Sequence, residues 1–173
     1  PQEAFMALQQ AARIGPKQGM ARVHIGTAWL QVNNFEKAIA SFNKAVQLEP
    51  QNPSIQLQIG KSLQAAQRYE EAMRAYQRAI ALRPNLPEAQ EGLGDIFFEQ
   101  QNYSTATSFY RQYIATVPND PEGHYKLAKA LKESGRKQEA VYALDQARSL
   151  TNAQGNPGDR LRDIDTLMKE LRK

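Results

Sequence analysis

Residues 53–86 read PSIQLQIGKSLQAAQRYEEAMRAYQRAIALRPNL, and residues 87–120 follow the same plan without an insertion, PEAQEGLGDIFFEQQNYSTATSFYRQYIATVPND. Each stretch opens on proline and carries glycine at its eighth place (Gly60, Gly94) and alanine at its twentieth (Ala72, Ala106). Tyrosine stands at the twenty-fourth place (Tyr76, Tyr110) and a second proline at the thirty-second (Pro84, Pro118). Working outward, the stretch from Gly19 supplies Gly26, Ala38, Phe42 and Pro50 at these places, and the stretch from Pro121 supplies Ala128, Ala140 and Leu144. Pro16, Pro50, Pro84 and Pro118 are 34 residues apart, and Pro53, Pro87 and Pro121 keep the same step. A fixed period of this length marks an array of identical supersecondary units.

Within one period, two apolar-periodic segments are separated by polar breakers, namely Asn33-Asn34, Gln67-Arg68, Gln101-Asn102 and Gly135-Arg136. This pattern predicts a helical hairpin. Helices of this length are marginal alone because nucleation is costly, so each hairpin must lean on its neighbours. The small residues at places 8 and 20 let two helices approach closely. Large residues at place 11 (Trp29, Leu63, Phe97, Leu131) and place 24 fill the space around that contact. Place 27 is small in Ala45, Ala79 and Ala147, whereas Tyr113 breaks the rule and is expected to displace local packing. Proline suits the first helical position, and Asn52 and Asp120 just before it are suited to cap. Leu86 at the corresponding junction has no capping oxygen in its side chain, which predicts a weaker start there.

These residues resemble the tetratricopeptide (TPR) repeat family over about residues 19–154. The resemblance implies an all-α fold, a right-handed α-solenoid of antiparallel helix pairs closed by a C-terminal capping helix. The units expected are 19–52, 53–86, 87–120 and 121–154. Residues 1–18 read as the second helix of a truncated preceding unit, with Ala4, Leu8, Ala11 and Pro16 at places 20, 24, 27 and 32, as if cut from a longer chain. Residues 155–173 read as the capping helix, with Leu161, Ile164, Leu167, Met168 and Leu171 on one side. One departure is consistent: the family often has Trp at place 4, where this chain has Arg22, Gln56, Gln90 and His124.

Composition narrows the function. The 22 basic and 18 acidic residues are scattered, too weak an excess to imply nucleic acid. Without cysteine there are no disulfides or thiolate metal sites, and such a chain suits reducing and oxidising compartments alike. No run of 18 apolar residues exists, so a soluble segment without a membrane-spanning helix is expected; the compartment is left open, with the cytoplasm slightly favoured. His24 and His124 lack a second ligand at helical spacing, Glu70-Glu71 complement a helix start, and Gly155-Asn156-Pro157-Gly158 is a turn without phosphate-loop context. Asn102-Tyr103-Ser104 fits a glycosylation sequon but equally the chemistry of a turn. No catalytic set, metal site or cofactor is expected, and an enzyme is not.

The resemblance implies that the first helix of each unit lines a concave groove receiving a protein or peptide segment. On that stripe lie Val23, Thr27, Leu30 and Gln31, then Leu57, Lys61 and Gln64. The third unit adds Glu88, Glu91, Asp95, Phe98 and Glu99, and the fourth adds Glu122, Tyr125, Lys129, Lys132 and Glu133. The stripe thus changes from mild to acidic to basic, which suits a segment carrying both charges and an apolar anchor. The same charges also read as ordinary solvated helix faces, whose exposed pairs contribute only about 0–1 kcal/mol.

One subclass of the family holds the C-terminal carboxylates of chaperones with Lys, Asn and Arg. Here the corresponding places hold Val23, Thr27, Gln58, Glu88 and Gly92, or after a shift of one unit Leu57, Lys61, Gly92, Glu122 and Lys126. Neither set matches, so that clamp is not expected. The acidic stretch disfavours RNA. The alternative to an adaptor is a homo-oligomerising module that uses the N-terminal helix or the convex surface.

Overall fold

The computed structural model describes residues 18–154 and 158–171. Among these residues it is all-helical, with nine helices. They are α1 (Gln18–Gln31), α2 (Phe35–Leu48), α3 (Pro53–Ala65), α4 (Tyr69–Leu82), α5 (Pro87–Glu99), α6 (Tyr103–Thr116), α7 (Pro121–Glu133), α8 (Lys137–Ala153) and α9 (Gly158–Leu171). The helix expected within residues 1–17 and the turn at 155–157 lie outside the described residues. Contacts group the chain into two units divided between Gly92 and Leu93, inside α5. In the first, α1 pairs with α2, α3 pairs with α4, and α1 also packs on α3. In the second, α7 packs on both α6 and α8, and α9 packs on α8.

Every hairpin turns by the same backbone device. Asn33, Gln67, Gln101 and Gly135 adopt left-handed φ values of 57°, 58°, 60° and 77°. The next amide reaches back to the carbonyl five residues earlier: Asn34 to Trp29 (2.9 Å), Arg68 to Leu63 (2.8 Å), Asn102 to Phe97 (2.8 Å) and Arg136 to Leu131 (2.9 Å). With the shorter bond from Gln67 N–H to Gln64 (2.8 Å) and its counterparts, this is a Schellman ending, which satisfies the last carbonyls of the first helix. The residue after the left-handed one is then the N-cap position of the second helix, and at two of the four turns its side chain caps it. Asn34 and Asn102 accept from the amides of Lys37 and Thr105 (both 3.3 Å). Arg68 and Arg136 make no such cap and instead bind Glu71 and Glu139 three residues on.

The core follows the small-against-large rule read from the repeat. A Cβ added to Gly60 would stand 2.7 Å from the Tyr76 ring, and one on Gly94 would stand 2.6 Å from the Tyr110 ring. Gly26 meets Phe42 in the same manner. Ala38, Ala72, Ala106 and Ala140 have no exposed surface, which lets the paired helices close on one another.

At the start of α5 the Leu86 side chain is buried and its carbonyl accepts the first helical bond, from Gln90 N–H at 3.2 Å, with no side-chain oxygen there to cap the next amides. One position differs from expectation. Tyr113 displaces nothing, because Gly123 leaves room for its ring and Asp120 accepts its hydroxyl at 2.6 Å. In α9, Ile164, Leu167, Met168 and Leu171 are buried, with Leu161 half-buried against the same cluster.

Candidate partner-binding faces

In the first unit the stripe is narrower than the spacing predicts. Leu30 is only 6% exposed, and Val23 and Leu57 are buried with it, because the buried arc of α1 and α3 extends onto this side. Thr27 spends its hydroxyl on Ser62 (2.7 Å) and on the Val23 carbonyl (3.0 Å). Gln64 accepts the Tyr76 hydroxyl at 2.6 Å and so steadies the ring from which Gly60 makes way. Gln31, Lys61 and Glu88 are exposed, and Glu91 is half-buried.

In the second unit three of the stripe's charges, Asp95, Glu122 and Lys132, are already paired. Asp95 accepts from Tyr110 Oη and from Lys126 Nζ, both at 2.9 Å. Glu122 pairs with Arg160 of α9, and Lys132 Nζ lies 2.6 Å from Glu170 Oε2 on the same helix. The hydrogen bond from Lys132 to Glu170 raises the lysine's pKa. Burial pushes the Tyr125 phenol up, helped by the negative charge of Asp163 and opposed by Arg160, whose guanidinium lies 4.9 Å from the ring centroid. Glu99 is exposed at the end of α5.

Lys129 differs from its neighbours. Its ammonium stands 5.1 Å from the Phe98 ring centroid and 6.0 Å from that of Tyr125, and among the described residues no carboxylate pairs with it. Phe98 is in turn met edge-on by Tyr103 at 5.3 Å. Both rings are half-buried and Lys129 is exposed, so an unpaired cation is held over aromatic surface. Sequence spacing brought Phe98, Tyr125 and Lys129 onto one stripe. It missed Arg160, Glu170 and Lys126 as the groups that neutralise the stripe. The only trace of α9's part in this is the charge on its side opposite Leu161 and Ile164.

Among the described residues no three His, Asp or Glu side chains gather as metal ligands would, and no helix is long and apolar enough to cross a membrane.

Three models of repeat units match the chain in succession: a TPR repeat over residues 26–67 and tetratricopeptide repeats over residues 57–121 and 122–150. The chain therefore belongs to the tetratricopeptide repeat family, an all-α helical repeat of the solenoid class, and it is a protein-interaction module. Its fold is similar to that of the crystal structure of MamA, with a TM-score of 0.75 at 21% identity over 88% of this chain and 90% of that one. MamA 41-end from Desulfovibrio magneticus RS-1 is similar too, with a TM-score of 0.67 at 20% identity over 91% and 96% of the two chains. No curated protein matches the sequence.

Proposed function

We propose that the chain works as a non-catalytic adaptor that holds a segment of a partner protein on the face of the second unit bearing Phe98, Tyr125 and Lys129. The observation that carries this reading is the Lys129 ammonium, which lies near two aromatic rings and has no carboxylate partner among the described residues. A partner carboxylate would complete the ion pair that this lysine lacks, while an adjacent apolar side chain would cover Phe98. Asp95, Glu122 and Lys132 hold Lys126, Arg160 and Glu170 in place beside them.

Peptide display against the whole chain tests this reading. Selected sequences should be rich in Asp or Glu beside Leu or Phe, and K129E should remove the acidic preference while leaving helicity unchanged. If K129E selects the same acidic peptides as the parent, this face is not where they bind.

A further inference from the structure

Two clefts occupy equivalent places in the 34-residue frame, one within each unit. The first lies among α2, α3 and α4, measures about 140 Å³, and has Gln56, Glu71, Arg74 and Arg78 in its walls. The second lies among α6, α7 and α8 and measures about 480 Å³, within the range of small ligand sites. Its floor is Ile114, Leu127, Leu131 and Ala143. Ile59, Leu63, Glu71 and Ala75 of the first cleft recur two periods later as Leu127, Leu131, Glu139 and Ala143 of the second.

The difference arises at two other equivalent places. Arg74 becomes Tyr142, and Gln56 becomes His124. Tyr142 is 69% exposed, a large aromatic surface left in water at the cleft's rim. The His124 ring spends its Nε2 on the Pro118 carbonyl at 3.0 Å. The first of these exchanges puts an aromatic ring in the second cleft's wall where the first cleft has a guanidinium.

The rim also carries a charge that its own residues leave unbalanced. Glu139 accepts from Arg111 (2.7 Å) and, through both oxygens, from Arg136 (2.7 Å each), so two guanidiniums share one carboxylate. Arg136's hydrogen bond, with the charge of both arginines, holds the Glu139 carboxyl below the usual glutamate range. The cleft therefore combines an apolar floor and an exposed aromatic wall, and Arg136, bound to Glu139 from outside the lining, leaves the Arg111–Glu139–Arg136 cluster at its edge with one surplus positive charge.

We propose that this cleft is a second docking site, which takes a bulky apolar side chain of a partner segment with a carboxylate on a neighbouring residue. The apolar group occupies the floor beside Tyr142, and the carboxylate approaches Arg111 and Arg136 in competition with Glu139. The site is independent of the Lys129 face, whose residues are not part of it.

The test is an NMR titration of the whole 15N-labelled chain with acetyl-Glu-Phe-Leu-Glu-amide and with its neutral counterpart, in which Gln replaces Glu. The acidic peptide should move the amides around Ile114 and Tyr142. E139Q should tighten its binding roughly three- to fivefold by releasing both arginines, and leave the neutral peptide unaffected. Y142A, at an exposed position that leaves the fold intact, should weaken both peptides at this site, whereas K129E should change neither there. Shifts confined to the surroundings of Phe98 and Lys129, or an E139Q affinity equal to that of the parent, would overturn the proposal.

Discussion

The ring of Tyr76 lies directly against the backbone of Gly92, so closely that a Cβ at residue 92 would stand 2.5 Å from the ring's Cζ. The other end of the ring faces Gly60, and the hydroxyl is fixed by Gln64. One tyrosine thus joins α3, α4 and the start of α5. Gly92→Ala must push a buried ring that has no free direction, and should cost about 1–3 kcal/mol. Chemical denaturation measures it; an unchanged midpoint would show that the ring yields. Tyr76→Phe keeps the packing and loses one hydrogen bond, for about 1 kcal/mol.

The hairpin turns offer the opposite sign. Gln67 and Gln101 are held at left-handed φ, where a side chain is strained and glycine is not. Gln67→Gly and Gln101→Gly should each stabilise the chain by about 0.5–1 kcal/mol, net of the entropy that glycine adds to the unfolded state. Gly135→Ala should destabilise it by a similar amount. The three thermal melting points, taken together, decide whether the strain exists.

Asp120 joins two structures at once. It accepts the amides of Glu122 (3.1 Å) and Gly123 (3.3 Å) at the start of α7, and the Tyr113 hydroxyl at 2.6 Å from α6. Asp120→Ala should cost about 1–2 kcal/mol, the range for a lost cap. Hydrogen exchange should locate the loss in the first turn of α7. Tyr113→Phe should leave that turn protected.

Glu139 gives a pH signature. Its carboxyl is lowered chiefly by Arg136, so its charged form is favoured in the folded chain. The stabilisation is complete above the carboxyl's unfolded value and disappears as pH falls through the lowered folded value. A carbon-detected NMR titration should place Glu139 below the other exposed glutamates. Arg136→Ala should bring it back towards them, and a titration curve unaffected by that change would rule out the hydrogen bond as the cause.

The hairpins were legible because their causes are local or recur at a fixed step. Pro53, Pro87 and Pro121 open helices where the period places them, and Gly60 and Gly94 face Tyr76 and Tyr110 as small-against-large pairing requires. Tyr113 was misread because the glycine that accommodates it stands ten residues away and breaks no rule by itself. Leu30 lies on the expected stripe yet is buried, since spacing gives a direction around a helix and not the width of what covers it. In the second unit, spacing grouped Phe98, Tyr125 and Lys129 correctly on one side. The pairing of Asp95 with Lys126 and of Lys132 with Glu170 joins residues more than thirty apart, and needed three dimensions to be seen.

Those closed pairs bear on how the Lys129 face responds to ionic strength. A count of letters suggests an acidic row beside a basic one, strongly sensitive to dissolved electrolyte. Asp95, Glu122 and Lys132 instead meet an incoming segment already neutralised, whereas among the described residues no carboxylate pairs with Lys129. Capture on this face should therefore fade with added salt only as steeply as a single screened contact does, with the aromatic surface retaining the rest at high concentration.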